Sequence, residues 1–161
     1  MFGSSAFSPV SPEHVHVALA HVPVVGFWLA LPVLLAGLWR KETNLTVAAI
    51  LLIAVTGWTT PVIMGSGEAA LERYADGPVS PVLDESAAYA LKHHEDAAHT
   101  WGKLFYLAAV LATGLAAGWR WLPRRAVAPL CWSLGALVLA CAILGLWFAA
   151  TGGEIRRPDF R

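Results

Sequence analysis

Charge is scarce in this chain. Only 14% of its 161 residues are Asp, Glu, Lys or Arg, and the formal net charge is zero. A soluble domain of this size carries nearer a quarter charged residues. With no basic excess to neutralise phosphates, nothing points to a nucleic-acid partner. Cysteine is almost absent. Cys131 and Cys141 lie ten residues apart in one apolar stretch, roughly 15 Å along a helix and out of disulfide reach of each other, so both read as small packing residues. There is no Cys-x-x-Cys-His, which excludes covalent c-type haem attachment. No serine or cysteine stands in a triad context and no glycine-rich phosphate loop occurs, so nucleophilic catalysis has little support. Gly65-Ser66-Gly67 is too short for such a loop and reads as a helix-end turn. Residues 1–13 have neither a positive n-region nor an apolar h-region, so the first helix is expected to act as its own insertion signal.

What the chain has instead is apolar length. It is 57% hydrophobic, with a mean hydropathy of +0.59 and eight tryptophans, a residue that favours the membrane–water boundary. Four stretches approach or exceed the roughly 20 residues that cross a bilayer: 15–39, 45–64, 100–122 and 126–150. The expected fold is a single all-α domain, an integral membrane four-helix bundle. Pro23 and Pro32 predict a kink or broken turn in the first span. Gly114 and Gly118 are spaced for close helix contact in the third. The long connection 65–99 contains turn signals at Gly77-Pro78 and Ser80-Pro81. A helix start follows at Asp84-Glu85-Ser86, where acidic and hydroxyl groups satisfy free first-turn amides; that helix is expected to run into the third span. Trp39, Trp101, Trp119 and Trp121 fall at span ends as interfacial anchors.

The two short loops and their flanks hold Arg40, Lys41, Arg120, Arg124 and Arg125 against a single acid, Glu42. Positive loops stay cytoplasmic. Both termini and the long, helix-containing loop are therefore expected on the periplasmic side of a bacterial inner membrane.

All six histidines fall on that side. His14, His16 and His21 open the first span; His93, His94 and His99 lead into the third. Glu13, Glu68, Glu95, Asp96 and Glu154 lie around them, from every helix end. Ionisable groups near lipid are costly and are functional-site candidates by default. His14 and His21 share a helix face, as do Glu95 and His99. His21 and His99 each stand at the start of an apolar segment, on spans running in the same direction, so they can oppose each other across one metal centre. Gly102, a turn inward from His99, leaves room for a flat macrocycle, and Tyr106 continues that stripe. Two cofactor classes fit. Haem b needs one imidazole from each of two helices and an apolar slot. A bare Cu, Zn or Fe ion needs three or four ligands, available among His14, His16, His21, His93, His94, His99, Glu68, Glu95 and Glu154. His94-Glu95-Asp96-Ala97-Ala98-His99 is one residue too long for the zinc-protease helix, because an i,i+5 pair splays about 140° apart. The paired Glu-x-x-His of di-iron bundles is missing.

His21-Val22-Pro23-Val24 resembles the His-Phe-Pro-Ile opening of a bacterial four-helix membrane family, catalogued as domain of unknown function 2231. That family is similar to small b-type cytochromes in its histidine placement. A lone histidine opening the third span and a Gly-Gly-Glu-hydrophobic motif after the fourth complete the pattern, matched here by His99 and by Gly152-Gly153-Glu154-Ile155. The resemblance covers about 13–155. It implies haem between His21 and His99 and electron transfer, as a subunit of a larger redox complex or between quinol and a periplasmic acceptor. Glu68, Glu95 and Glu154 would then orient the imidazoles or accept protons, and Arg156 or Arg157 would pair with haem propionates. The chain departs from the pattern in two places. His14, His16, His93 and His94 are extra, leaving room for a second haem or a metal, and Arg156-Arg157-Pro158 replaces the expected aromatic and histidine residues. The alternatives are a Cu, Zn or Fe protein and a cofactor-free subunit anchoring a soluble redox partner.

Overall fold

The computed structural model describes residues 11–76 and 84–155. Among them the chain forms six helices and no strand: α1 (Pro12–Arg40), α2 (Thr43–Gly57), α3 (Thr60–Asp76), α4 (Glu85–Trp101), α5 (Lys103–Gly118) and α6 (Arg124–Glu154). α2 with α3, and α4 with α5, make two long rods, so four helices are long and apolar enough to cross a membrane. At 1.5 Å per residue the 29 residues of α1 reach roughly 43 Å, well beyond a hydrocarbon core of about 30 Å. The rods therefore have length to spare outside the apolar layer.

The chain's punctuation explains the breaks. α1 opens with Pro12 at its first position and Glu13 in its first turn, and ends with Lys41 in the left-handed region (φ 56°), its N–H turned back to the Gly37 and Leu38 carbonyls. α1 continues as one helix through Pro23 and Pro32; no broken turn interrupts it. Pro61 does interrupt the second rod. It has no N–H for the carbonyl of Gly57, and its ring crowds that carbonyl, so α2 stops at Gly57 and α3 begins after Trp58 and Thr59. Asp84 caps α4 as expected, its side chain accepting from the Ala87 N–H at 2.7 Å. α4 meets α5 at Gly102, where a Cβ would run into the Ala98 carbonyl.

The long connection is mostly helix. α3 runs through Gly65-Ser66-Gly67, where a helix-end turn is expected from sequence, and extends to Asp76; α4 is already formed at Glu85. Gly77-Pro78 and Ser80-Pro81 lie outside the described residues.

The core runs down the axis through Phe27, Leu34, Ile50, Ile53, Leu134 and Val138, with Cys131 and Cys141 buried among them as packing residues. The helices meet where side chains vanish. A Cβ on Gly26 would strike the Thr56 side chain, and on Gly57 it would lie 2.8 Å from the Ala109 Cβ. Gly114 and Gly118, spaced for such contact, instead face open space. A polar tie reinforces the α2–α5 seam at the break: Trp58 Nε1 donates to Thr113 Oγ1 at 2.9 Å, and that hydroxyl donates to the Ala109 carbonyl at 2.8 Å. Interhelical hydrogen bonds in membranes average about 0.6 kcal/mol and reach about 1.7. Thr113→Val should therefore cost about 1 kcal/mol, measured as a lower midpoint of detergent unfolding.

Candidate functional site

Four helices converge on one pair of histidines. His16, in the second turn of α1, and His94, in the middle of α4, have ring centroids 6.3 Å apart and planes at 84°. α3 and α6 shape the space around them. His16 Nδ1 lies 2.8 Å from the Ile63 carbonyl oxygen, an atom that only accepts, so the ring's Nδ1–H is the donor. His94 Nδ1 lies 3.0 Å from Thr151 Oγ1. That hydroxyl spends its own proton on the Phe148 carbonyl (3.2 Å), so it accepts from the imidazole. Both rings are thus held through Nδ1, and both leave Nε2 as the electron-pair donor. Second-shell partners of this kind orient ligating imidazoles.

Two glycines make the pair possible. A Cβ on Gly67 would sit 3.0 Å from His16 Nδ1 and Cε1, and on Gly152 it would sit 3.4 Å from His94 Cε1. Below the pair an aromatic column leads into the core: His94 against Phe148 at 6.2 Å, Phe148 against Phe105 at 5.9 Å, and Phe105 against Phe27 at 5.6 Å. The well-packed helix pairs are α1–α2, α1–α3, α1–α6, α2–α5, α4–α5, α4–α6 and α5–α6. The two helices that carry the rings, α1 and α4, are not among them, so the histidines bridge a seam.

The other candidates sit around this centre. His21 donates from Nδ1 to the Val17 carbonyl (2.7 Å) within its own helix and is exposed. His99 is also exposed, with Nε2 4.0 Å from Glu95 Oε1. His14 Nδ1 lies 2.7 Å from the Ser11 hydroxyl. His93, next in sequence to His94, turns instead to Trp147, edge to face at 5.8 Å. Glu95 and Asp96 both pair with Lys92, at 3.5 and 2.9 Å, and Glu13 pairs with Arg73 at 3.1 Å. Glu68 is exposed on α3 and Tyr106 half-buried on α5. Gly102 faces the Ala98 carbonyl and Met64 Sδ (3.7 Å), so its small size is already accounted for by the helix junction. Glu154, at the end of α6, is half-buried. Arg156 and Arg157 lie outside the described residues.

Among the described residues no three His, Cys, Asp or Glu side chains converge as a metal-holding group. Two imidazoles do. Metal–nitrogen bonds of about 2 Å, with roughly 1.1 Å from each nitrogen to its ring centre, put two trans imidazoles roughly 6.2 Å apart, centroid to centroid. The observed 6.3 Å suits a centre that takes two protein ligands and brings its other donors with it. No family model, curated protein or solved structure matches this chain.

Sequence reasoning named His16 and His94 but missed Ile63, Thr151, Gly67 and Phe148 as their supports. Gly152 of the Gly-Gly-Glu motif was the one available signal, and it marks a backbone cleared for a ring.

Proposed function

We propose that this chain is a multi-pass membrane b-type cytochrome, binding haem b between His16 and His94 at the helix ends opposite the two short loops. The observation that carries the reading is the convergence of two, and only two, Nδ1-anchored imidazoles at trans-axial spacing. A porphyrin supplies four equatorial nitrogens and asks the protein for two axial ones, whereas Zn or Cu sites ask for three or four side chains. Bound there, haem supplies one-electron redox chemistry.

The protein's own part is to hold the rings. The Ile63 carbonyl and Thr151 hydroxyl fix the tautomers, Gly67 and Gly152 leave the rings space, and Phe148 with Phe105 keeps water from the core side. The seam between α1 and α4 is where a flat group can enter. The positive short loops argue for a cytoplasmic location of that end, and so for haem near the periplasmic face of a bacterial inner membrane. The motif resemblance to the four-helix family supports the same class. The role is electron transfer, as part of or partner to a larger redox complex.

The test is an absorption spectrum of detergent-purified protein from haem-replete cells, oxidised and dithionite-reduced. A Soret band with sharp reduced α and β bands is expected. A colourless preparation overturns the proposal, and elemental analysis for copper, zinc and iron then tests the metal-site alternative.

A further inference from the structure

His93 and Glu154 take no part in holding the imidazole pair, yet they share a cavity. A hollow of about 300 Å³ opens between the outer face of α4 and the end of α6, lined by Ser86, Tyr89, Ala90, His93 and Glu154. Ser86, Tyr89, Ala90 and His93 recur at helical spacing, so they form one wall; Glu154 stands on the other. The hollow is at the small end of ligand sites, large enough for a single substituted six-membered ring.

Its chemistry is selective. Glu154 as a carboxylate only accepts hydrogen bonds, while the His93 imidazole and the Tyr89 phenol each donate or accept. The Ser86 hydroxyl is already turned to Asp84 at 2.9 Å. Trp147 packs edge to face with His93 at 5.8 Å, limiting that ring's freedom. A ligand matched to this wall carries oxygen functions that both donate and accept, on a flat ring. Its depth sets a second requirement. The hollow lies at the helix ends, while α6 below it exposes Leu139, Ile143 and Leu146, an apolar stripe at helical spacing. A molecule with a polar ring at the boundary and an apolar tail along this stripe satisfies both.

We propose that this cavity binds the head group of a quinone-type lipid, in its hydroquinone or quinone form. The inference rests on the redox reading above for its purpose, since His93 is joined by one peptide bond to His94. The binding itself involves other residues. The carboxylate of Glu154 accepts from a hydroquinone hydroxyl, and His93 or Tyr89 meets an oxygen of the same ring.

The test is isothermal titration of the detergent-purified full chain with a short-tailed benzoquinone and with its reduced form. One saturable site is expected, with affinity falling at least tenfold in His93→Ala and in Glu154→Gln. Unchanged far-ultraviolet circular dichroism and unfolding midpoints would confirm that both variants fold. Absence of saturable binding overturns the inference, as does wild-type affinity in the double variant. Equal competition by a phosphatidylethanolamine headgroup also overturns it, because the site would then be a lipid amine site centred on Glu154. The absorption spectrum of the same samples separates the two readings: colourless protein that binds the quinone sinks the haem proposal alone, and haem-bearing protein that does not bind it sinks this one alone.

Discussion

Replacing either His16 or His94 with alanine should abolish the Soret band of the purified protein. Each ring supplies one of two axial bonds, and no neighbouring side chain stands ready to replace it, since among the described residues no third ligand joins the pair. The effect on bound haem is expected to be complete, or at least a hundredfold loss. Thr151→Val tests the supporting shell. It removes the acceptor that holds His94 Nδ1 at 3.0 Å while leaving the ligand nitrogen in place. Loss of such a partner typically lowers affinity 10–100-fold, so haem should be retained at high occupancy during expression and lost on dilution. His21→Ala and His99→Ala should keep the spectrum, because both rings are exposed and bonded or paired only within their own helices. Loss of the Soret band in those variants, with its survival in His16→Ala and His94→Ala, would return the axial role to the pair that the family resemblance implies.

A single methyl group added at Gly57 should unsettle the whole bundle. Gly→Ala inside a helix ordinarily stabilises by roughly 0.5–1 kcal/mol, through reduced backbone entropy in the unfolded chain. At Gly57 the sign should reverse. The new Cβ would lie 2.8 Å from the Ala109 Cβ and 3.1 Å from that residue's backbone nitrogen and Cα, and backbone cannot rotate out of the way. Forcing the α2–α5 seam open costs about 1–3 kcal/mol as overpacking, and more for Gly57→Leu. Gly114→Ala is the matched control, because nothing lies within 4 Å of its Cβ position; it should be neutral or stabilising by up to about 1 kcal/mol. Reversible unfolding in mixed micelles reads both. Equal effects at the two glycines would show that the α2–α5 contact is not where the bundle is tightest.

The Gly57 and Gly114 pair also shows where reading the chain stops. Small residues four apart in an apolar run are a fair signal for a helix contact, and Gly114 and Gly118 carry it as clearly as any in the chain. They face open space because contact depends on which way α5 is turned, and that is set by the Ala109–Gly57 approach on another face. Pro61 was equally visible in the sequence as a helix breaker, but its consequence, two collinear helices in one rod, depends on α1 packing along both halves. Gly65-Ser66-Gly67 reads locally as an end. It stays helical because α3 has a partner in α1, and because Gly67 makes room for the His16 ring.

The sequence by itself determined that this is a four-rod, all-helical chain with apolar spans, two short positive connections and its histidines gathered where α1 begins and α4 ends. Hydrophobicity and helical spacing are local properties, so they survive without coordinates. Which histidines meet was decided only by tertiary structure. Neighbouring residues on a helix point about 100° apart, so His93 and His94 are interchangeable in the sequence and opposite in effect. His94 turns inward to His16 and Thr151, and His93 turns outward to Trp147 and the cavity beside Glu154. The rotation of each helix about its own axis chooses between them, and long-range contacts such as Gly26 on Thr56 and Gly57 on Ala109 set that rotation.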